Sequence, residues 1–114
     1  MGVLTSIVDR SISWNFSSDL FFNIRDYAFP SCSSLTKVSF PNATSIGNGV
    51  FQYCDKLTTI YVGTNTSTVC TLSNTSAFNN CTNLTNIYVP SSLVDSYKSA
   101  TNWSSYASKI KATP

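Results

Sequence analysis

Three stretches of the chain align with one another: AFPSCSSLTKVSFP at 28–41, VFQYCDKLTTIYVG at 50–63 and AFNNCTNLTNIYVP at 77–90. Each copy reads small/apolar-Phe-x-x-Cys-x-x-Leu-Thr-x-(Val/Ile)-x-(Phe/Val)-(Pro/Gly). The phenylalanines Phe29, Phe51 and Phe78 lie 22 and 27 residues apart, and the other columns keep the same offsets. Self-similarity at such a period is typical of a repeat protein in which each copy forms one turn of a solenoid.

The second half of each copy alternates apolar and polar residues, which predicts a short strand. If successive copies pair in parallel about 4.8 Å apart, each sequence column becomes a row of side chains in space. The inward columns are Val38, Phe40, Ile60, Val62, Ile87 and Val89. The outward columns are Lys37, Thr59 and Asn86, followed two positions later by Ser39, Tyr61 and Tyr88. A Pro or Gly then ends each strand, since neither residue suits a strand interior.

The interval between the second and third copies is five residues longer than the first interval, and the additional chain lies within 63–76. An insertion in a repeat protein usually bulges from one side while the strand register survives. Within this segment, Val69, Cys70 and Leu72 are expected to reach back into the core.

Cys32, Cys54 and Cys81 occupy one column of the repeat, whereas Cys70 lies outside it. We interpret all four as core thiols, because a buried cysteine behaves as a small apolar residue with a weak donor. Two alternatives stay open for the column. Neighbouring turns would bring equivalent Cα atoms within the distance that a disulfide tolerates, and thiolates can also bind a metal. Neither a cofactor nor a metal site is predicted.

The two ends of the chain are predicted to cap the apolar interior, which a stack of repeats would otherwise expose. Residues 1–24 are rich in β-forming residues and indicate a β cap with a tight turn at Asp9–Arg10. Residues 91–114 change to a helical period and indicate a helical cap around the repeats at 25–90. Its predicted features are a capping box at Ser92 and Asp95, an N-cap at Thr101 or Asn102, a buried stripe of Trp103, Tyr106, Ala107 and Ile110, and Lys109 and Lys111 near its C-terminus.

The shared Ala-Phe-x-x-Cys-x-x-Leu-x-x-(Ile/Val) unit, found at 28–38 and 77–87 and with Val for Ala at 50–60, resembles the BspA-type leucine-rich repeats. Such repeats are common in bacterial surface proteins and in some phage and mobile-element proteins. The final segment at 87–112 also resembles the ending of many phage-related members. The resemblance implies a leucine-rich-repeat solenoid, β-rich and α/β by class. The three copies predict about three parallel-stacked coils, and the length of 114 residues predicts one domain over 1–114. The resemblance further implies adhesion or protein recognition.

The side-chain inventory argues against several function classes. The chain has no His and no Glu, so neither a Ser-His-Asp nor a Cys-His arrangement can be assembled, and we predict no enzyme. The catalytic alternative is a paired-carboxylate site formed by Asp19 and Asp26. The competing interpretation is that the aspartates are solvated or form turns. The seven Lys and Arg residues are dispersed, which speaks against nucleic-acid binding, and no apolar run approaches the length of a membrane span.

We therefore predict a non-catalytic module that binds a partner protein through the outward side chains of its parallel strands. The predicted contact residues are Lys37, Ser39, Thr59, Tyr61, Asn86 and Tyr88. Tyrosine supplies apolar area and a hydroxyl with few rotatable bonds, which suits recognition, although paired tyrosines also stabilise exposed sheets. A phage or mobile-element product acting on a host protein would fit this reading. The alternative is a self-associating, tail-fibre-like or adhesive component of a bacterial surface or virion.

No secretory signal is visible, which favours a cytoplasmic or virion-associated protein, or a surface protein if the chain is a fragment. Homo-oligomer formation is left open by the sequence.

Overall fold

The structure consists of short strands that pair in parallel and a C-terminal segment of helical turns. It is a computed structural model and describes residues 3–4, 13–15, 23–29 and 34–114. Among these residues, one sheet contains, in spatial order, β1 (Val3–Leu4), β3 (Asn23–Ile24), β5 (Ser45–Ile46) and β7 (Thr71–Leu72). A second sheet contains β2 (Ser13–Asn15), β4 (Lys37–Phe40), β6 (Thr59–Val62), β8 (Asn86–Val89) and β9 (Ile110–Ala112). The described part of the chain is therefore rich in β-strands, and strands of the two sheets alternate along the sequence.

The second sheet has the register that the sequence columns predict. Val38 lies opposite Ile60, and Ile60 lies opposite Ile87, so equivalent positions of the three copies are direct neighbours. The side chains of the predicted inward columns are fully buried. Strands β4, β6 and β8 end immediately before Pro41, Gly63 and Pro90, as predicted.

The first sheet was not predicted. Ile24, Ile46 and Leu72 lie side by side in its central and outer strands, and all three are buried. Strands of two residues carry too short an alternation to be recognised from sequence. Each repeat thus contributes one strand to each sheet. Buried side chains from both sheets form one apolar core.

The phenylalanine column forms a continuous stack through the core. The ring centroids of Phe29 and Phe51 are 5.1 Å apart, and those of Phe51 and Phe78 are 5.6 Å apart with nearly parallel planes. Backbone hydrogen bonds follow the same line, because the Phe29 amide donates to Val50 and the Phe51 amide donates to Ala77. Sequence columns therefore become rows of side chains here too, as predicted.

The five additional residues of the third copy are divided between two places. Four lie between β6 and β7, and one lies between β7 and Phe78, by comparison with the preceding copy. Gly63 begins the longer connection with a φ of +56°, a conformation that glycine adopts without a steric penalty. Cys70 and Leu72 are buried and Val69 packs against the core, so the prediction for this segment is confirmed.

The start of the C-terminal segment differs from the prediction. Ser91–Leu93 is a 3-10 turn, and the helix α1 (Val94–Ser99) begins only after it, without a side-chain cap. The predicted capping box of Ser92 and Asp95 is therefore wrong. Ser92 is itself inside the 3-10 turn, where the Leu93 amide donates to the Pro90 carbonyl.

The helix predicted over Trp103 to Ile110 is also wrong. Trp103–Lys109 consists of 3-10 turns with a kink at Tyr106, and Ile110–Ala112 is strand β9, which pairs with β8 in parallel. The open edge of β8 offers hydrogen bonds to a β-branched residue such as Ile110, and this tertiary pairing overrides the helical period. Lys111 consequently lies on a strand rather than at a helix terminus.

Side chains from the C-terminal segment close the outer edge of the first sheet. The Trp103 indole donates to the Cys70 carbonyl at 2.6 Å, and the Asn102 amide donates to the Leu72 carbonyl at 2.7 Å. The Cys70 amide donates to the Tyr97 hydroxyl at 2.8 Å. Asn102 is the N-cap residue of the Trp103–Lys109 segment, one of the two predicted positions, but it has a φ of +70° and its side chain makes no capping hydrogen bond. Its amide instead satisfies a strand carbonyl.

At the N-terminal end, β1 pairs with β3 and β2 pairs with β4, both in parallel. The described residues of this end, 3–4, 13–15 and 23–24, lie in strands that extend the same two sheets as the repeats. The predicted turn at Asp9–Arg10 lies outside the described residues.

Candidate functional site

The outward side chains of the second sheet form two rows on one exposed face, which we call the strand face. One row runs across Ser39, Tyr61, Tyr88 and Lys111, which are successive partners in register. The other row runs across Lys37, Thr59 and Asn86. All six residues predicted from sequence are thus placed on one face. Lys37 is exposed, and the other five are partly exposed.

Tyr61 and Tyr88 form the centre of the strand face. Their ring centroids are 4.9 Å apart with an angle of 32° between the planes. The Lys37 ammonium lies 5.4 Å from the centroid of the Tyr61 ring, within the range of a cation–π contact. The sheet that carries the rings is buried on its opposite side, so the backbone beneath this aromatic pair is held by the core.

Hydrogen bonds between neighbouring strands order the other row. The Asn86 amide donates to the Thr59 hydroxyl at 3.5 Å. Beside this row, the Thr58 hydroxyl donates to the Thr36 carbonyl at 3.1 Å and the Thr85 hydroxyl donates to the Thr58 carbonyl at 3.3 Å. The Leu-Thr element of the repeat therefore has a physical role, since Thr58 and Thr85 each tie their copy to the preceding one.

Lys111 belongs to the strand face, although the sequence analysis placed it at a helix terminus. Its ammonium donates to the Asn86 side-chain oxygen at 2.6 Å and to the Thr85 carbonyl at 3.1 Å. The bond to Thr85 continues the pattern of the threonines. The Thr36 and Thr58 carbonyls accept from the threonine of the next copy, and the Thr85 carbonyl accepts from Lys111 instead. Alternation from the buried Ile110 would have revealed its orientation, had the segment been assigned to a strand.

Cys54, Cys70 and Cys81 are buried, in agreement with their interpretation as core residues. The Cys54 thiol donates to the Phe29 carbonyl at 3.6 Å, and the Cys81 thiol donates to the Phe51 carbonyl at 2.9 Å. Burial raises the pKa of the Cys70 thiol to about 12 and that of the Cys81 thiol to about 12, with the nearby Cys54 adding to the latter. Such thiols stay protonated near neutral pH, so they are poor nucleophiles and metal ligands. Cys32 lies outside the described residues.

Other candidate chemistry has little support in the described part of the chain. The Asp26 carboxylate accepts a hydrogen bond from the backbone N–H of Asn48 at 2.8 Å and so holds a turn. Asp19 lies outside the described residues. Within residues 3–4, 13–15, 23–29 and 34–114, no group of three or more Cys, Asp, Glu or His side chains could hold a metal ion. None of the helices in these ranges has the length and apolarity needed to cross a membrane.

The strands pair in parallel, rows of equivalent apolar side chains form the core, and polar side chains are ordered on the strand face. These features define a β-rich repeat protein. The family model of the BspA type leucine rich repeat region, with six copies, matches residues 11–112. Because the match covers most of its length, the chain belongs to the BspA-type leucine-rich-repeat family, as the sequence columns indicated. Leucine-rich repeats generally mediate protein–protein binding, and the family is typically non-catalytic. No curated protein and no solved structure matches the chain significantly.

Proposed function

We propose that this protein is a non-catalytic binding module whose strand face contacts a partner protein. The proposed contact residues are Lys37, Ser39, Thr59, Tyr61, Asn86 and Tyr88. The observation that carries the proposal is the stacked, partly exposed pair of Tyr61 and Tyr88 on a sheet that is rigidly packed from behind. Tyrosines in this setting give a large contact area at a small entropic cost.

The proposed architecture is a leucine-rich-repeat solenoid in a single domain over 1–114, with end segments at 1–24 and 91–114 around the repeats at 25–90. The parallel registers with offsets of one repeat support this arrangement. In such a solenoid, the strands of successive turns present one continuous surface, which is the common binding surface of repeat proteins. The strand face is that surface here.

The test is selection of a random peptide display library on the immobilised protein. Peptides that the wild type enriches should bind the double variant Tyr61→Ala, Tyr88→Ala at least about tenfold more weakly, because tyrosines that become buried on binding are frequent hot spots. The free energy of unfolding should fall by no more than about 1 kcal/mol, as expected for an exposed cross-strand pair.

The matched control is Tyr53→Asn, which removes another exposed tyrosine away from the strand face. Tyr53 has a φ of +64°, and Asn80 adopts nearly the same φ at the equivalent position of the next copy, so asparagine suits this backbone. The control should retain wild-type binding. Equal affinity of wild type and the tyrosine double variant for every selected peptide would exclude the strand face as the binding surface.

A further inference from the structure

The strand face is cationic on both sides of its aromatic centre. The only charged residues on β4, β6, β8 and β9 are Lys37 and Lys111, and these strands contain no acid. Lys37 extends over the Tyr61 ring, and Lys111 lies next to Tyr88 in the register. Within the described part of the chain, neither ammonium forms an ion pair. Both charges are therefore available to a binding partner.

We infer that the partner segment bound by the strand face is acidic: its carboxylates contact Lys37 and Lys111, and an apolar or aromatic side chain between them packs on Tyr61 and Tyr88. This inference rests on the proposed function. It follows from charge complementarity, which suppresses wrong partners and accelerates association.

The spacing of the two lysines suits an extended segment that crosses the strands. The backbones of Lys37 and Lys111 lie on β4 and β9, three strand separations or about 14 Å apart. Their ammonium groups lean inwards from there, over the Tyr61 ring of β6 and onto Asn86 of β8. Two acids four residues apart on an extended chain are separated by about 13 Å. One extended segment with acids four residues apart therefore spans the backbones of both lysines. Its two carboxylates reach inwards to the ammonium groups, on either side of a central side chain that packs on the tyrosine pair.

The charges are also held in position before binding. Lys111 is bonded to the Asn86 side chain and the Thr85 carbonyl, which directs its ammonium along the strand face. A side chain ordered in this way loses less entropy when a carboxylate arrives. An ammonium with two neutral acceptors retains a third donor for that carboxylate.

A nucleic acid fits the strand face less well. Binding to duplex DNA draws on about six to ten phosphate contacts in typical cases, whereas the strands of this face supply two lysines and no arginine. The neutral residues between them, Thr59, Tyr61, Asn86 and Tyr88, match a peptide with amide groups and side chains. An acidic protein segment is accordingly the occupant that the observations favour.

The experiment compares two libraries of extended peptides of about ten residues. One library has Asp or Glu at two positions four residues apart, and the other has Asn or Gln at the same positions. The acidic library should be enriched on the wild type over the neutral one. Its peptides should bind the double variant Lys37→Gln, Lys111→Gln about tenfold more weakly, which is the expected size for two partly exposed ion pairs.

Glutamine at position 111 is neutral and keeps an N–H donor on a side chain that is one atom shorter, and an unchanged free energy of unfolding verifies that the strand face stays ordered in this variant. The control is the double variant Lys56→Gln, Lys98→Gln, which has the same net charge but alters exposed lysines of a turn and of α1. The control should bind acidic peptides within about twofold of the wild type, because exposed charges away from the face are largely screened. A loss equal to that of the strand-face variant would overturn the inference in favour of non-specific charge attraction.

Other outcomes separate this inference from the proposed function. If neutral peptides are enriched equally and their binding depends on Tyr61 and Tyr88, the strand face binds but its partner is not acidic. If duplex DNA binds as tightly as the acidic peptides and depends on Lys37 and Lys111, the inference is also overturned. If no peptide from either library depends on the tyrosine pair, the proposed function itself fails.

Discussion

At the scale of single residues, the cysteine column explains how one small side chain joins two repeats. Cys54 and Cys81 are buried among apolar neighbours, and each thiol donates to the phenylalanine carbonyl of the preceding copy, Phe29 and Phe51 respectively. The Phe51 carbonyl also accepts a hydrogen bond from the Cys54 backbone amide at 3.0 Å, so the Cys81 thiol adds a second, weak hydrogen bond that links this carbonyl to the next copy. A larger polar residue would not fit the packed interior, and cysteine is small, apolar and still a weak donor, which suits this column.

The buried thiols predict a loss of stability at alkaline pH. In the folded protein the pKa of Cys70 and of Cys81 is about 12, against 9.0 for an ordinary thiol, so only the unfolded chain loses these protons just above pH 9. Their contribution is complete below pH 9 and is lost as the pH rises towards 12. Each thiol should lower the free energy of unfolding by about 1.4 kcal/mol per pH unit in this window. Tyr97, with its pKa raised by burial from 10.0 to about 12, should add to the loss above pH 10.

Urea unfolding between neutral pH and pH about 11 measures this effect. Cys70→Ala provides the comparison, because removal of one thiol should make the decline with pH shallower. A free energy of unfolding that stays constant or rises above pH 9 would contradict the assignment of buried, protonated thiols.

At the scale of elements, the two sheets end in different ways. The second sheet gains a further strand, since β9 pairs with the edge of β8. The first sheet ends at β7, where Tyr97, Asn102 and Trp103 provide hydrogen-bond partners for the strand backbone. Because an open strand edge can pair with another chain, these side chains protect the sheet against association as well as satisfying its polar groups.

Tyr97→Phe tests this edge with the removal of one oxygen atom. The substitution leaves the buried Cys70 amide without its acceptor, while the ring and its contact with Trp103 are kept. The free energy of unfolding should fall by about 1–3 kcal/mol, the cost of an unsatisfied buried donor. Chemical denaturation of Tyr97→Phe beside Tyr88→Phe, which alters a partly exposed ring on the strand face, measures the difference. Equal stability of the two variants would show that the Tyr97 hydroxyl does not support β7.

At the scale of the whole molecule, the described residues share one core that includes the C-terminal segment. Phe78, at the end of the phenylalanine stack, contacts the rings of Trp103 and Tyr106 at centroid distances of 6.1 and 5.0 Å. Ile110 belongs to the same buried cluster as Ile24. The proposed end segment is therefore part of the cooperative unit, as end caps of repeat proteins usually are.

Deletion of residues 100–114 should remove most of the stability. It exposes Phe78 and the edge of β8, and it removes the buried Trp103, whose loss alone typically costs about 3–5 kcal/mol. A domain of this size is stabilised by about 5–15 kcal/mol in total, so we expect a broad, weakly cooperative transition in far-ultraviolet circular dichroism. Removal of the exposed Pro114 alone is the control and should leave the transition unchanged. A sharp transition with the wild-type midpoint after the longer deletion would show that the remaining chain, residues 1–99, folds independently of the segment.

The sequence by itself determined the repeat register and the direction of its side chains. The offsets of 22 and 27 residues align Phe29 with Phe51 and Phe78, and the alternation around Ile60 assigns Tyr61 to the outward face. These features could be predicted because the same local pattern recurs in each copy and each copy meets the same neighbours.

Only the tertiary structure decided how the repeats end. The spacing of Trp103 and Ile110 fits a helix, yet Ile110 joins a strand because the edge of β8 supplies hydrogen-bond partners that lie more than twenty residues away in sequence. The same pairing turns Lys111 onto the strand face, and Asn102 satisfies the β7 backbone instead of capping a helix. Local periodicity contains no information about an open edge. The segment next to that edge therefore takes the conformation that satisfies its backbone groups.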